Sequence, residues 1–509
     1  MQTERNSSHE WSRRQFLGAS AAAAIVWSRF GVTAQGFSDY LKYDALGLAR
    51  LVRDKEVAPE ELLEAAMSRI EAINPEINAV VIKMYDEARA TIAGGVEGGT
   101  FTGVPFLLKD LGAPYKGVRT TLGSRLFENY VPDYDNELVR RYNAAGLVTM
   151  GRTNTPEFGL NGSTESVLLG PCRNPWDTTR SSGGSSGGAG AAVASRMVPI
   201  AHGSDGGGSI RIPSSCCGVF GLKPSRGRQP TGPDAGENWE GFATNHALSL
   251  SVRDNAALLD ATATPEIGAP YGIPAPARPF IEEVTINPGK LRIAYFTKGA
   301  AADTHPDCVA AVHDAATLLE ELGHEVVEAA PALDYNVIKP AFSLIVSAHA
   351  AAMLDKFKTG MEIAMTSDVV EPATLGWAEP GWKASAADFA STKAIFNATT
   401  RAVAEFLTRY DVILTPTLGT PPPKLGYLDT VNLPFEEFHK RLFDFLPFTW
   451  LHNLTGLPAM SLPLYWNAGG LPIGVQVAGR YADEATLYRL AGQLEQSRPW
   501  RDRIPAVAL

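Results

Sequence analysis

Cysteine is scarce in this sequence. The four present, Cys172, Cys216, Cys217 and Cys308, lack the CxxC spacing of a zinc site. So few in a long chain also argue against a disulfide framework, and the adjacent Cys216 and Cys217 read as small buried side chains. The nine histidines form no HExxH or other ligand cluster, so neither a metal nor a cofactor is expected. Positive charge is in deficit. Against 55 Asp and Glu stand 45 Lys and Arg, a net charge of -10. Without a basic face a nucleic-acid partner is excluded, and the acidic balance serves solubility. The N-terminal apolar run, Leu17 to Trp27, is too short to span a bilayer, which takes about 20 residues.

That run reads as part of an export tag, with an amphipathic N-terminal helix of the fold as the bland alternative. Ser12-Arg13-Arg14-Gln15-Phe16-Leu17 matches the twin-arginine pattern. Val32-Thr33-Ala34 then puts small residues where a signal peptidase cuts. Residues 1–34 are therefore set aside as a signal peptide. The mature chain, 35–509, is expected in the periplasm or medium, with no stable membrane association after cleavage.

The remainder alternates helical and strand patterns. Pro59-Glu60-Glu61 opens a helix in which Leu62, Ala66, Ile70 and Ile73 recur at helical spacing, and Pro75 ends it. Val104 to Leu108 reads as a buried strand, Asn136 to Ala145 as a helix stopped by Gly146, and Leu147 to Met150 as the next strand. This predicts an α/β fold with a mixed, mostly parallel central sheet flanked by helices. Residues from about 265 to 410 change to Pro-rich and Ala-rich stretches and read as a helical insertion that shapes the substrate pocket. Strands return at Val412 to Leu414 and Gly474 to Val477.

Three segments carry chemistry. Lys109 ends the apolar run Phe106-Leu107-Leu108. Desolvation there lowers a lysine's pKa and makes it a base; pairing with the adjacent Asp110 is the bland alternative. Gly183-Gly184-Ser185-Ser186-Gly187-Gly188 satisfies the G-x-S-x-G pattern, but the residues before it, Asn174 to Arg180, read as a turn-rich loop rather than the strand such an elbow requires. Gly206-Gly207-Gly208-Ser209 bares backbone N–H groups before a serine, as an oxyanion hole beside its own nucleophile does. No Gly-Lys-Ser/Thr follows, which excludes a Walker A loop. Asp205 and Arg211 bracket this loop with opposite charges that can clamp it. His202 reads as a packed, hydrogen-bonded histidine; pocket walls are expected from the insertion and from Thr415-Pro416-Thr417, Phe448, Trp450 and His452, with core packing the commoner place for the aromatic ones.

Taken in order, these segments resemble the amidase signature family. The resemblance runs from Gly103-Val104-Pro105 through Gly151 to Glu157 and both serine loops to Gly221-Leu222-Lys223-Pro224. It resumes at Leu457-Pro458-Ala459 and Leu471 to Gln476. Within the family, Pro75 to Val80, Arg173-Asn174-Pro175-Trp176 and Ala201-His202-Gly203 are similar to the 6-aminohexanoate cyclic dimer hydrolases. The resemblance implies a Ser-Ser-Lys triad: Ser209 as nucleophile, Ser185, held by a cis peptide bond, as proton relay, and Lys109 as base. It places the oxyanion-hole amides on Gly206, Gly207, Gly208 and Ser209. Where the family usually has a larger residue, Gly206 implies a looser loop or a wider acyl pocket. The implied activity is hydrolysis of amide bonds in a small-molecule substrate through an acyl-enzyme, with cyclic or linear oligoamides, aryl amides and carbamates in range. An esterase or urethanase activity of the same site is an alternative. So is an amidotransferase subunit, which the export tag argues against because the partners of such systems are cytoplasmic. A homodimer is a permitted assembly.

If Arg13 and Arg14 are the recognised pair, replacing both with Lys holds the protein in the cytoplasm. Fractionation of expressing cells measures this, and an unchanged periplasmic yield refutes the tag.

Overall fold

The computed structural model describes residues 37–96, 98–263, 265–300 and 303–509; the twin-arginine segment lies outside them. Short apolar runs bounded by turns become the strands of one 11-stranded sheet. In chain order these are β1 (Val80–Lys83), β2 (Val104–Lys109), β3 (Leu147–Thr153), β4 (Ile200–Asp205), β5 (Phe220–Lys223), β6 (Thr244–Ser249), β7 (Arg292–Tyr295), β8 (Glu325–Glu328), β9 (Val412–Pro416), β10 (Ala459–Trp466) and β11 (Pro472–Ala478). Across the sheet they lie in the order β1-β3-β2-β4-β6-β5-β10-β11-β9-β7-β8.

The sheet is mixed and flanked by helices, but it is not mostly parallel. Parallel pairing joins β3, β2 and β4 on one side and β9, β7 and β8 on the other. Between them, from β4 to β9, every interface is antiparallel. Connectivity gives the reason. A helix carries the chain from β4 to β5 and leaves those two strands parallel, yet β6 returns between them and runs against both. β10 and β11 form a hairpin, closed by Gly470 N–H donating to Asn467 C=O at 2.9 Å, and a tight turn imposes antiparallel pairing.

Helices cover the sheet. The ones that build the site are α1 (Gly187–Ala194), α2 (Arg211–Cys217), α3 (Tyr335–Met361), α4 (Pro372–Lys383), α5 (Ala386–Phe406) and α6 (Phe435–Phe445). Every residue of α1 is Gly, Ala or Val and all are buried. The small side chains permit close approach: a Cβ on Gly188 would lie 2.3 Å from the Asn154 nitrogen. Within 265–410, β7 and β8 extend the sheet, while α3 packs against both α4 and α5. By length and composition α3 could cross a membrane, but its Phe342, Ile345, Val346 and Leu354 are buried inside the protein.

Two local expectations shift. The helix at Pro59 continues through Pro75 to Ile77. It ends on Asn78 in the left-handed conformation, whose N–H still reaches Asn74 C=O at 2.8 Å. The residues before the first serine loop are not all turn, because Asp177–Ser181 pairs with Arg173–Asn174. That ribbon lies outside the 11-stranded sheet, so the elbow geometry of a serine at the head of a central strand is still absent.

Candidate active site

β2 and β4 are parallel neighbours with Leu107 opposite Ala201, so both end at the same edge of the sheet. The side chains closing these strands therefore meet. Lys109 Nζ donates to Ser185 Oγ at 2.7 Å and to Ser204 Oγ at 2.9 Å. The Gly184–Ser185 peptide bond is cis, as the resemblance implies. The next serine faces elsewhere: Ser186 Oγ donates to Ser204 C=O and accepts from Ser204 N–H, each at 3.2 Å. Ser204 was not singled out from sequence. Its signal is its position at the end of β4, and only the strand pairing sets that beside Lys109.

Asp110 does not pair with Lys109. Alternation along the strand points it the other way, where it accepts from Thr120 Oγ at 2.8 Å and from Thr121 N–H at 3.1 Å. His202 is packed and bonded on both nitrogens. Nδ1 accepts from Lys109 N–H at 3.2 Å, so Nε2 carries the proton and donates to Asn245 Oδ1 at 3.2 Å. Burial lowers its pKa to about 3, which keeps the ring neutral.

The charges bracketing the second serine loop meet in a buried ion pair. Arg211 reaches Asp205 through Nη2 at 2.8 Å and Nε at 3.0 Å, and both side chains are fully buried. The guanidinium also donates to Thr449 C=O, Gln476 Oε1 and Asn453 Oδ1. Asn453 Nδ2 in turn holds Asp205 Oδ1 at 2.8 Å. Burial opposes the Asp205 charge, but Arg211 and Asn453 outweigh it and bring the pKa to about 2. Asp205 Oδ2 accepts from the Ile210 N–H at 3.1 Å. Just upstream, no acceptor among the described residues takes the N–H groups of Gly206, Gly207, Gly208 or Ser209. Four consecutive free donors in a half-buried loop offer a place for an anionic oxygen. Gly208 has φ +137°, and a Cβ there would meet Thr449 Oγ at 2.5 Å. Glycine is thus required twice over at that position.

Lys109 is fully buried, and no carboxylate among the described residues bonds to it. Desolvation drives its pKa down and the nearby Asp205 charge pulls it up; desolvation wins, and the value falls from 10.5 to about 7. A substantial share of the amine is then neutral at physiological pH.

Ser185, Ser204 and Ser209 line one cavity of about 530 Å³, the size of a small-molecule site. Its walls are largely aromatic and aliphatic: Phe127 and Phe158 from the core, Phe342 and Phe357 from α3, Trp377 from α4 and Phe443 from α6. Asp234 is the one charged residue in this lining among the described residues. Phe342, Phe357 and Trp377 fall within 265–410. Thr415, Pro416, Thr417, Phe448, Trp450 and His452 are instead buried outside the lining. Trp450, for example, stands behind Phe342, with ring centroids 5.2 Å apart.

A family model described as Amidase matches residues 61–488. The chain belongs to the amidase family. It is 38% identical over 475 residues to a 6-aminohexanoate-cyclic-dimer hydrolase of Paenarthrobacter ureafaciens, covering 91% of this chain and 96% of that one. A solved structure of 6-aminohexanoate cyclic dimer hydrolase superposes with TM-score 0.86 at 36% identity, covering 92% and 99%. A bacterial aryl acylamidase of the amidase signature family superposes with TM-score 0.82 at 26% identity, covering 90% and 98%. This member of the family is accordingly an amidohydrolase with the amidase signature fold, acting on C–N amide bonds.

Two expectations follow for this amidase. Arg211→Leu strands the buried Asp205 charge and costs roughly 3–5 kcal/mol of stability, read from urea denaturation; a loss below about 1 kcal/mol shows the clamp to be marginal. The lowered pKa of Lys109 also sets a sign. Between pH 7 and 10.5 the unfolded chain holds a proton that the folded chain has released. Stability therefore rises with pH across that window, and the full cost is present below it. Lys223, buried and also lowered to about 7, acts with the same sign, so Lys109→Met flattens the slope without abolishing it. Denaturation midpoints at about pH 6.5 and pH 9 compare the two proteins, and identical slopes refute the assignment.

Proposed function

We propose that this amidase hydrolyses neutral, largely apolar small-molecule amides through an acyl-enzyme formed on Ser209, with Ser185 as proton relay and Lys109 as base. The observation that carries the reading is a buried lysine with no carboxylate partner, 2.7 Å from Oγ of Ser185, which lines the same cavity as Ser209. A free serine hydroxyl is a weak nucleophile and needs such a base. Neutral Lys109 takes a proton from Ser185 as Ser185 takes one from Ser209. Ser209 Oγ attacks the carbonyl carbon, and the free amides of Gly206 to Ser209 receive the developing oxyanion. The proton returns through Ser185 to the leaving nitrogen, which departs as an amine. Water, activated by the same relay, then releases the acid.

The lining supports the substrate class. Apolar walls with amide and hydroxyl groups such as Asn161, Asn238 and Thr244 suit cyclic or linear oligoamides and aryl amides. Carbamates and esters pass through a similar tetrahedral species and fall within reach of the same groups. A glutamine-using transferase subunit would need a cation for the substrate carboxylate, and this lining offers none among the described residues. On Arg13 and Arg14 we place the activity outside the cytoplasm after export.

Ser209→Ala is expected to fold and to lose on the order of 10³-fold or more in kcat/KM, together with labelling by a fluorophosphonate. Ser185→Ala is nearly as damaging, while Ser186→Ala keeps most of the rate. Full activity in folded Ser209→Ala, or the reverse ranking of Ser185 and Ser186, overturns the mechanism. In the wild type kcat/KM rises through a single deprotonation with its midpoint near the Lys109 value of about 7, because the base must be neutral. The residual rate of Lys109→Ala lacks that limb. If both profiles rise alike, another group titrates.

A further inference from the structure

Gly206 opens the run of free amides, and nothing in its backbone demands glycine, since its φ lies outside the left-handed region. What it demands is space. A Cβ at 206 would lie 3.0 Å from Cε3 and from Cζ3 of Trp239, tighter than ordinary van der Waals contact. The width that a glycine at 206 leaves open is thus filled by an indole from another loop. Trp239 is half-buried and lines the cavity together with Ser185, Gly206, Gly207 and Ser209.

The turn presenting this ring is unusual. Trp239 and Glu240 both have positive φ, 50° and 53°, and Gly241 N–H donates to Asn238 C=O at 3.1 Å. Two left-handed residues in the middle of such a turn call for Gly, Asn or Asp; a bulky aromatic adopts that conformation rarely. Its surroundings hold it there. Arg226 Nε donates to Gly241 C=O at 2.8 Å. Glu240 pairs with Lys393 on α5 and lies 3.7 Å from His349 on α3. A disfavoured backbone over-determined by its neighbours, with its side chain against the proposed oxyanion donors, is the signature of a functional constraint.

We propose that Trp239 is a specificity-determining residue: its indole, clamped over Gly206, closes the part of the cavity beside the Gly206–Ser209 amides and limits the bulk of the substrate's acyl group. This rests on the assignment of Ser209 as nucleophile. Gly206 and Trp239 then share one volume, so that a methyl added at 206 is tolerated only when the ring is removed.

The test uses the full chain and p-nitroanilides whose acyl group grows from acetyl through benzoyl to 2-naphthoyl. Trp239→Ala is expected to raise the 2-naphthoyl to acetyl ratio of kcat/KM by about tenfold or more. Gly206→Ala alone lowers kcat/KM on the acetyl substrate by about tenfold, and adding Trp239→Ala recovers most of that loss. An unchanged ratio in Trp239→Ala, or a double variant as slow as Gly206→Ala, overturns the proposal. A second arm needs no turnover. Calorimetry gives the affinities of acetamide, benzamide and 2-naphthamide for Ser209→Ala with and without Trp239→Ala. A relative gain for the largest amide on loss of the ring supports the proposal; equal ratios, or no binding by either protein, overturn it. Absent turnover with size-dependent binding sinks the nucleophile assignment alone, and turnover with an unchanged size ratio sinks the role of Trp239 alone.

Discussion

The buried pair of Asp205 and Arg211 is the interaction on which the site depends. Asp205 ends β4 and Arg211 begins α2, so the pair pins both sides of the loop that carries Ser209. Charges this deeply buried persist only when every lone pair and N–H finds a partner. Asn453, Gln476, the Thr449 carbonyl and the Ile210 amide supply those partners, tying the loop to β11 and to the segment after α6. The loop's own amides from Gly206 to Ser209 are left over. They stay free because Asp205 is already saturated and because glycines at 206 to 208 bring no side chain to cover them.

Asp205 also acts on Lys109. Its pull is weaker than the desolvation that lowers the lysine to about 7. Asp110, the other acid within reach in sequence, is removed by strand alternation and spent on Thr120 and Thr121. His202 fixes the strand end through the Lys109 amide without adding a charge. A lysine, two serines and a row of free amides thus converge beside an aromatic-walled cavity through ordinary rules of burial and pairing.

Elements with strong local signals were legible. The strand at Val104, the helix before Gly146 and the returning strands at Val412 and Gly474 lie where periodicity and turn residues put them. β6 and β8 were not legible, since Thr244–Ser249 and Glu325–Glu328 are short and mix polar with apolar residues without clean alternation. Their assignment depends on neighbours far away in the chain. The excess of antiparallel pairing was hidden for the same reason, because β6 enters between two strands that local order would make neighbours.

At the site, the sequence by itself determined the chemical identities: a lysine closing an apolar run, two glycine-framed serine loops, and a charge on each side of the second. These are local patterns, and local sterics and desolvation are enough to read them. Tertiary structure alone decided which groups meet. Ser204 reaches Lys109, Ser186 turns from it, Thr415 and Trp450 fall behind the wall, and Trp239 fills the space over Gly206. The physical reason is that contacts across a sheet and between distant loops depend on strand order and register, and no single stretch of chain encodes either.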